Sequence, residues 1–198
     1  MLEVELKSVV DDVTRRRAMV ERAGGSLTWE GRLLDRRYDT SARTLTGRDE
    51  VLRLRVYEAD GRSRAELDWK GPTGRQDGYK VREELGVHIV ESADVLADIL
   101  ARLGYEVTVE IDREIAQYEL GGATVRFERY PRLDDLVEVE GTPVQIEQAI
   151  TALGLPRDGF TTERLPDFVR RFESRTGQRA ALCQADLRGE RHYDPANA

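Results

Sequence analysis

The stretch E-V-E-L-K, residues 3–7, decides how this chain folds. Its three charged side chains, Glu3, Glu5 and Lys7, alternate with apolar ones. Because successive side chains of a β-strand point to opposite faces, the stretch predicts a strand with two carboxylates and one ammonium on one face. Its other face is apolar and is expected to be buried against another element of the fold.

The composition predicts one domain without a general affinity for polyanions. The chain has 198 residues, 35% of them charged and 39% apolar, with a net charge of -7. A chain of this length can bury one core, and no linker-like segment divides it. The negative charge gives no general attraction to nucleic acid or to anionic lipid, so we expect neither partner.

Residue usage limits the location and the metal chemistry. No apolar run approaches the length of a membrane span, and Met1 is followed at once by the charged strand, so we expect a cytoplasmic protein. A lone cysteine, Cys183, and two distant histidines, His88 and His192, cannot build a zinc site. A metal would therefore have to be a hard ion held by carboxylates.

Three amphipathic helices are predicted. The first covers residues 11–23 and stops at a Gly-Gly pair, and the second covers 92–103 with Ser92 as N-cap. The third follows V-E-V-E-G at 137–141, with Thr142 as N-cap and Pro143 in the first turn. Each has an apolar stripe that must pack against a sheet.

Short strands fill the space between the helices. Beyond the first strand, the candidates are residues 33–40, 51–57, 65–70, 79–89, 106–120, 123–128 and 136–140. Asp60-Gly61 predicts a tight hairpin between the third and fourth strands. The glycine-rich segment G-P-T-G-R-Q-D-G at 71–78 is predicted to be a mobile turn, and it does not match the phosphate-binding loop pattern.

The predicted fold is α+β, an eight-stranded antiparallel closed β-barrel with helices packed outside. Helices would cover the apolar sheet face, and closure would turn the charged face inward around a lumen. The inward acids would be Glu3, Glu5, Glu66, Asp68, Glu84, Glu128, Glu138 and Glu140. The inward bases would be Lys7, Arg53, Arg55, Lys70, Arg82, Arg113 and Arg126.

A lumen lined by acids and bases suits a triphosphate with its metal. The three charges of E-V-E-L-K span roughly 13 Å of wall, about the length of such a substrate. Arginine and lysine neutralise phosphoryl oxygens, while clustered carboxylates hold Mg²⁺ or Mn²⁺. Paired carboxylates also occur in glycosidases, but a cationic sugar transition state gains nothing from many inward bases.

An ordered series of short motifs resembles the CYTH superfamily of triphosphate tunnel metalloenzymes. The series is E-V-E-L-K, Y-D-T at 38–40, L-R-L-R at 52–55, L-D-W-K-G-P at 67–72, V-R-E-E at 81–84, D-R-E at 112–114 and V-E-V-E-G. The family includes class IV adenylate cyclases, thiamine triphosphatases and inorganic triphosphatases. The resemblance implies the same barrel over a domain of residues 1–177, followed by a disordered tail at 178–198.

The resemblance also implies roles for the inward residues. It assigns metal binding to Glu3, Glu5, Glu84, Glu128, Glu138 and Glu140. It assigns substrate binding to Lys7, Tyr38, Arg53, Arg55, Lys70, Arg82 and Arg113. It assigns catalysis to Glu5, Lys7 and Glu128, with Lys7 either clamping a phosphate or moving a proton.

Three functions stay open at this stage. The first is hydrolysis of an inorganic or organic triphosphate with Mg²⁺ or Mn²⁺. The second is conversion of ATP to cyclic AMP and pyrophosphate, and the third is binding of a polyphosphate or nucleotide without turnover. Relatives are often dimers, so a homodimer is compatible with the resemblance.

Overall fold

The computed structural model describes residues 2–90 and 92–194. The strands are β1 Leu2–Val9, β2 Ser26–Thr40, β3 Val51–Ala59, β4 Arg62–Lys70, β5 Gly74–Gln76, β6 Tyr79–Ile89, β7 Tyr105–Leu120, β8 Ala123–Arg129 and β9 Leu136–Glu140. The helices are α1 Val13–Arg22, α2 Ala93–Arg102, α3 Pro143–Leu153, α4 Leu165–Thr176 and α5 Gln184–Leu187. In this part of the chain, no helix is both long and apolar enough to cross a membrane.

Eight of the strands form a closed antiparallel barrel. Around the barrel their order is β1, β9, β8, β7, β2, β3, β4 and β6, and pairing of β6 with β1 closes the ring. This confirms the predicted fold class. The predicted turn at 71–78 is partly wrong, because Gly74–Gln76 forms the short strand β5 against β6.

Local signals set the ends of several elements. Thr142 caps α3 and forms a capping box with Gln145, and Gly154 ends that helix in the left-handed region at φ 64°. Asp60 and Gly61 both have positive φ, 51° and 71°, which matches the hairpin turn that joins β3 to β4. These elements therefore form where the sequence predicts them.

Helices α1, α2 and α3 cover the outside of the barrel. Val20 of α1 and Ile150 of α3 are buried with Leu6 of β1 in one cluster. On another part of the barrel, Leu100 of α2 is buried with Leu54 of β3. The apolar faces of the strands therefore point outward, as the alternation in E-V-E-L-K requires.

Helix α4, which the sequence did not predict, packs against inward-facing positions instead. Phe168 and Phe172 of α4 join Val109 and Ile111 of β7 and Leu136 of β9 in one buried cluster. One part of the barrel interior is thus filled by apolar side chains. Leu33, Tyr57 and Ile115 form a second apolar cluster at inward positions, and most of the other inward positions are charged.

The segment after α4 corrects the prediction of a disordered tail. Ala181 and Leu182 are 0% exposed, the backbone nitrogen of Asp112 donates to the carbonyl of Leu182 at 2.7 Å, and Ala181 pairs with Arg132. Burial of these apolar residues against β7 stabilises the segment. The last part of the predicted tail, residues 195–198, lies outside the described residues.

Candidate active site

The charged part of the barrel interior encloses a cavity of about 400 Å³. Of the site residues predicted from the sequence, the cavity is bordered by Glu5, Lys7, Tyr38, Arg53, Lys70, Arg82, Arg113, Glu128 and Glu138. The other four, Glu3, Arg55, Glu84 and Glu140, lie in the same inward-facing rows behind this surface. The structure therefore brings the predicted residues to one region.

Most charges on the inner face oppose a charge of the other sign on the neighbouring strand. The pairs are Glu3–Arg82, Glu5–Lys80, Lys7–Glu138, Arg53–Asp68, Arg55–Glu66, Lys70–Glu84 and Arg126–Glu138. Directly opposite ions of unlike sign stabilise a sheet, and ions of like sign destabilise it. This register explains how a lumen so rich in charge can fold.

Glu5 and Glu140 depart from that pattern, since two carboxylates face each other across β1 and β9. Burial, together with the charges of Glu3, Glu138 and Glu5, raises the pKa of Glu140 to about 7. Three neighbouring acids thus disfavour the ionised form of Glu140. A bound cation would relieve this repulsion.

The acids are of the chemical type that binds a hard divalent metal, although Glu3, Glu5 and Glu138 contact lysine side chains in this structure. Among residues 2–90 and 92–194, no group of three His, Cys, Asp or Glu side chains is arranged to hold a metal ion. Lys70 lies 2.6 Å from Glu3, Lys80 contacts Glu5, and Lys7 lies 2.8 Å from Glu138. The donor set of carboxylate oxygens is the one that Mg²⁺ and Mn²⁺ prefer.

Glu128 is the centre of a buried group of bases. Its carboxylate accepts a hydrogen bond from the Tyr130 hydroxyl at 2.5 Å and lies 3.6 Å from Lys7 and 3.3 Å from Arg113. Burial opposes the charge on Lys7, but Glu128 and Glu138 outweigh it and raise the Lys7 pKa well above its usual range. Lys7 therefore stays protonated, and Glu128 holds the bases in place.

Glu84 also lies among bases, and its metal-binding role stays a prediction. It is 2.9 Å from Arg53 and 3.3 Å from Lys70. Burial opposes its ionisation, but these two cations and Arg55 lower its pKa below the ordinary value. The ionised carboxylate orients these cations, as Glu138 does for Lys7 and Arg126.

Arg55 and Tyr38, which are predicted to contact the substrate, have other partners in the structure. The Nε of Arg55 donates to Asp68 at 2.6 Å, behind the cavity surface. Tyr38 borders the cavity, but its ring is buried with Leu54 and Leu100 in the outer cluster under α2. Tyr38 follows an inward-facing residue on β2 and points to the opposite face, so its predicted contact with the substrate stays a prediction.

Sequence reasoning missed three inward residues, Asp35, Arg37 and Lys80. Arg37 and Lys80 line the cavity, and Asp35 is fully buried between Arg53 and Arg113, 3.8 and 3.6 Å from their nearest nitrogens. The signal for Lys80 was present, since it shares its strand parity with Arg82. On β2 the signal was obscured, because adjacent arginines at 36 and 37 put charge on both faces.

The loop that precedes α4 adds one more base to the cavity. Arg164 lines it and donates to Asp49 at 2.7 Å, while 48% of the Arg164 side chain is exposed. Asp49 also accepts from the backbone nitrogen of Thr73 at 2.7 Å, and its carbonyl accepts from Arg82 at 2.8 Å. This end of the cavity, which we call the Arg164 end, opens toward solvent.

The chain belongs to the CYTH family. The CYTH domain model matches residues 1–153, which include the charged strands and α3. Arg164, helix α4 and the segment after it lie beyond the match. No curated protein matches the chain significantly.

Solved structures show the same fold. A protein from Pyrococcus horikoshii OT3 is 24% identical with a TM-score of 0.70, and the match covers 82% of this chain and 94% of that one. A putative adenylate cyclase from Vibrio parahaemolyticus is 19% identical with a TM-score of 0.73, covering 86% and 98%. A putative adenylyl cyclase from Hippeastrum, described as having a dominant triphosphatase activity, is 14% identical with a TM-score of 0.61, covering 91% and 98%.

Proposed function

We propose that this protein hydrolyses a triphosphate, with a divalent metal, inside the charged cavity. The observation that carries the proposal is the wall where Glu5 faces Glu140, beside a cavity lined by lysines and arginines. Crowded acids suit a cation, and the neighbouring bases suit the phosphoryl oxygens that such a cation also binds. The family and the activity named for the Hippeastrum structure agree with this chemistry.

Glu3, Glu5, Glu138 and Glu140 would hold the metal, which we take to be Mg²⁺ or Mn²⁺. When bound, the ion supplies charge neutralisation at the phosphoryl oxygens. The lysines that now contact these acids would then become available to the substrate. Lys7 and Lys70 thus have two alternative anionic partners, a carboxylate of the wall or an oxygen of the phosphate chain.

The bases would bind and orient the phosphate chain. Lys7, held beside Glu128, would bind a phosphoryl oxygen as a clamp, and its alternative role in moving a proton stays open. Arg113, fixed by Glu128, would offer its guanidinium fork to a phosphoryl group. Water would attack the terminal phosphorus in line, breaking the bond to the bridging oxygen and releasing orthophosphate and diphosphate.

Product analysis tests the proposal directly. We would incubate the purified protein with tripolyphosphate, ATP or thiamine triphosphate, each with Mg²⁺, Mn²⁺ or a chelator, and measure orthophosphate, pyrophosphate and cyclic AMP. Metal-dependent orthophosphate release is the expected result. Cyclic AMP with pyrophosphate from ATP would identify a cyclase instead, and binding without any product would identify a binding protein.

The cytoplasmic location and the homodimer stay predictions from the sequence.

A further inference from the structure

Exposed apolar side chains are concentrated in one segment of the outer surface, residues 85–103. Among the described residues, ten large apolar residues are exposed, and six of them lie in this segment. The six are Leu85 and Val87 of β6, Val90, and Val95, Ile99 and Leu103 of α2. Single exposed apolar residues need no explanation, whereas a cluster of them marks an interaction surface.

Helix α2 has two apolar faces, of which one packs against the barrel and the other is exposed. Leu96 and Leu100 belong to the buried cluster on the outside of β3. Val95, Ile99 and Leu103 follow one another at intervals of four residues, so they form a row on a neighbouring face of the helix. These three residues are 54%, 48% and 68% exposed. We call them the Ile99 row.

The exposed end of β6 adjoins the surface that α2 covers. Val87 stands directly opposite Leu67 of β4, and Leu85 stands directly opposite Trp69. Because Leu67 packs against the α2 cluster, Val87 lies at the border of that cluster. Leu85 and Val87 share the outer face of β6 and are 57% and 58% exposed. The apolar surface therefore includes both α2 and β6.

A second row on α2 runs beside the Ile99 row and is charged. Asp94, Asp98 and Arg102 are also spaced by four residues, and all three are exposed. Successive residues are about 100° apart around a helix, so this row and the buried Leu96 lie on opposite sides of the Ile99 row. The charged row has acids in its first two positions and a base in its last. It therefore complements a copy of itself that runs in the opposite direction.

An antiparallel pair of α2 helices with Ile99 at the centre satisfies both rows. Val95 of one copy would face Leu103 of the other, and Ile99 would face its own counterpart. The rise of 1.5 Å per residue would place Arg102 roughly 3 Å along the helix axis from Asp98 of the second copy. In a parallel pair each charge would face its own counterpart, and like charges repel. The charge pattern therefore selects the antiparallel arrangement, an isologous contact.

We propose that α2 and the exposed end of β6 form the surface through which two copies of this chain associate, with their α2 helices antiparallel about Ile99. The acids of the charged row oppose binding to an anionic lipid surface. A second copy offers both an apolar row and a base at the matching position. The inference is independent of the proposed hydrolysis, because the described residues of the segment 85–103 are not among those that border the cavity.

Measurement of the mass in solution tests this surface. Sedimentation of the wild type should give twice the chain mass of 22.5 kDa. Ile99→Asp should raise the dimer Kd about 100-fold, because two carboxylates would be buried together at the symmetry axis. Val144→Asp is the matched control, since Val144 of α3 is 67% exposed but lies outside the segment, and it should leave the dimer intact. A monomeric wild type, or an Ile99→Asp dimer as tight as the wild type, would overturn the proposal.

A charge exchange tests the antiparallel pairing without altering the apolar row. Asp98→Arg and Arg102→Asp should each raise the Kd of self-association about tenfold, because each variant places like charges across the interface. An equimolar mixture of the two variants should form a dimer with one chain of each kind, since the facing charges are then opposite in sign. Native mass spectrometry with one variant isotopically labelled measures this. Self-association that neither exchange alters would contradict the pairing.

Turnover assays separate this proposal from the proposed hydrolysis. The rate per chain should change less than twofold in Ile99→Asp, whose circular dichroism should match that of the wild type because Ile99 lies on the surface. A dimer that hydrolyses no triphosphate would leave this surface standing while the hydrolase proposal fails. A monomer that hydrolyses a triphosphate would have the opposite meaning.

Discussion

Two parts of the barrel interior obey the same strand alternation but are filled differently. In the first part, inward positions of β1, β3, β6 and β9 are charged and border a cavity. In the second part, Val109 and Ile111 of β7 and Leu136 of β9 are apolar and pack against α4. Two strands contribute to both parts, β9 through Leu136 and Glu138 and β7 through Ile111 and Arg113.

The difference shows which inward positions serve stability and which serve binding. Apolar burial contributes free energy of folding wherever a partner covers it. The buried ions gain little net stability, because their attraction mainly offsets the loss of hydration. We therefore expect the charged part to serve ligand binding. Variants of the charged part should lose binding or turnover, whereas variants of the apolar part should lose stability.

The largest expected effect is on stability, in the apolar part. Phe168→Ala removes a ring that is 2% exposed, and it should lower the free energy of unfolding by about 3–5 kcal/mol through lost burial and a new cavity. Denaturant unfolding followed by circular dichroism measures this. Ser174→Ala, at an exposed position of α4, is the control. A loss below about 1 kcal/mol would show that α4 is not a stabilising plug.

The next effect is on turnover, in the charged part. Glu5→Gln and Glu140→Gln should each lower metal-dependent turnover about 100-fold, because each removes a carboxylate from the proposed metal site. Initial rates against metal concentration provide the measurement, and Glu83→Gln, at an exposed position of β6, is the control. Unchanged metal-dependent rates in both variants would remove these acids from the site.

A smaller effect should follow from changing the shape of a base while keeping its charge. Arg113→Lys loses the fork that lies between Glu128 and Asp35, so the KM for the hydrolysed triphosphate should rise about tenfold. The melting temperature should change little, in contrast to Phe168→Ala. The control is Arg129→Lys, whose side chain is 60% exposed. If the Arg113 variant unfolds with its KM unchanged, Arg113 is structural.

The smallest effect concerns Asp39, a cavity residue whose carboxylate serves the fold. Burial opposes its ionisation, but hydrogen bonds from Thr46, Leu45 and Thr40 outweigh burial and lower its pKa below the ordinary value of 3.8. The stability it provides is therefore present above about pH 4 and is lost as the pH falls through the lower folded-state pKa.

Asp39→Asn should lower the free energy of unfolding by about 1 kcal/mol at pH 7, since an amide cannot accept all of these hydrogen bonds. Urea titrations at several pH values should show the difference from wild type shrinking below pH 4. A difference that grows as the pH falls would contradict the assignment.

Much of the fold and part of the site followed from local patterns. The inward rows Glu3–Glu5–Lys7 and Arg53–Arg55 were predicted from alternation, and the strand register confirms their facing. Arg37 was missed because Arg36 beside it is also charged. The alternation of charged and apolar residues therefore did not indicate which of the two side chains faces inward. Helix α4 was missed although its apolar residues are regularly spaced, because the barrel signals ended before it.

The sequence by itself determined the strands, the helix caps and the facing of most charges, because a side chain's face depends only on its position along its own strand. Tertiary structure alone decided which charges oppose one another. Glu5 meets Glu140, and Arg37 meets Arg53, only when the barrel closes in one register. Attraction and repulsion depend on distances between strands, and a linear pattern of residues does not contain those distances.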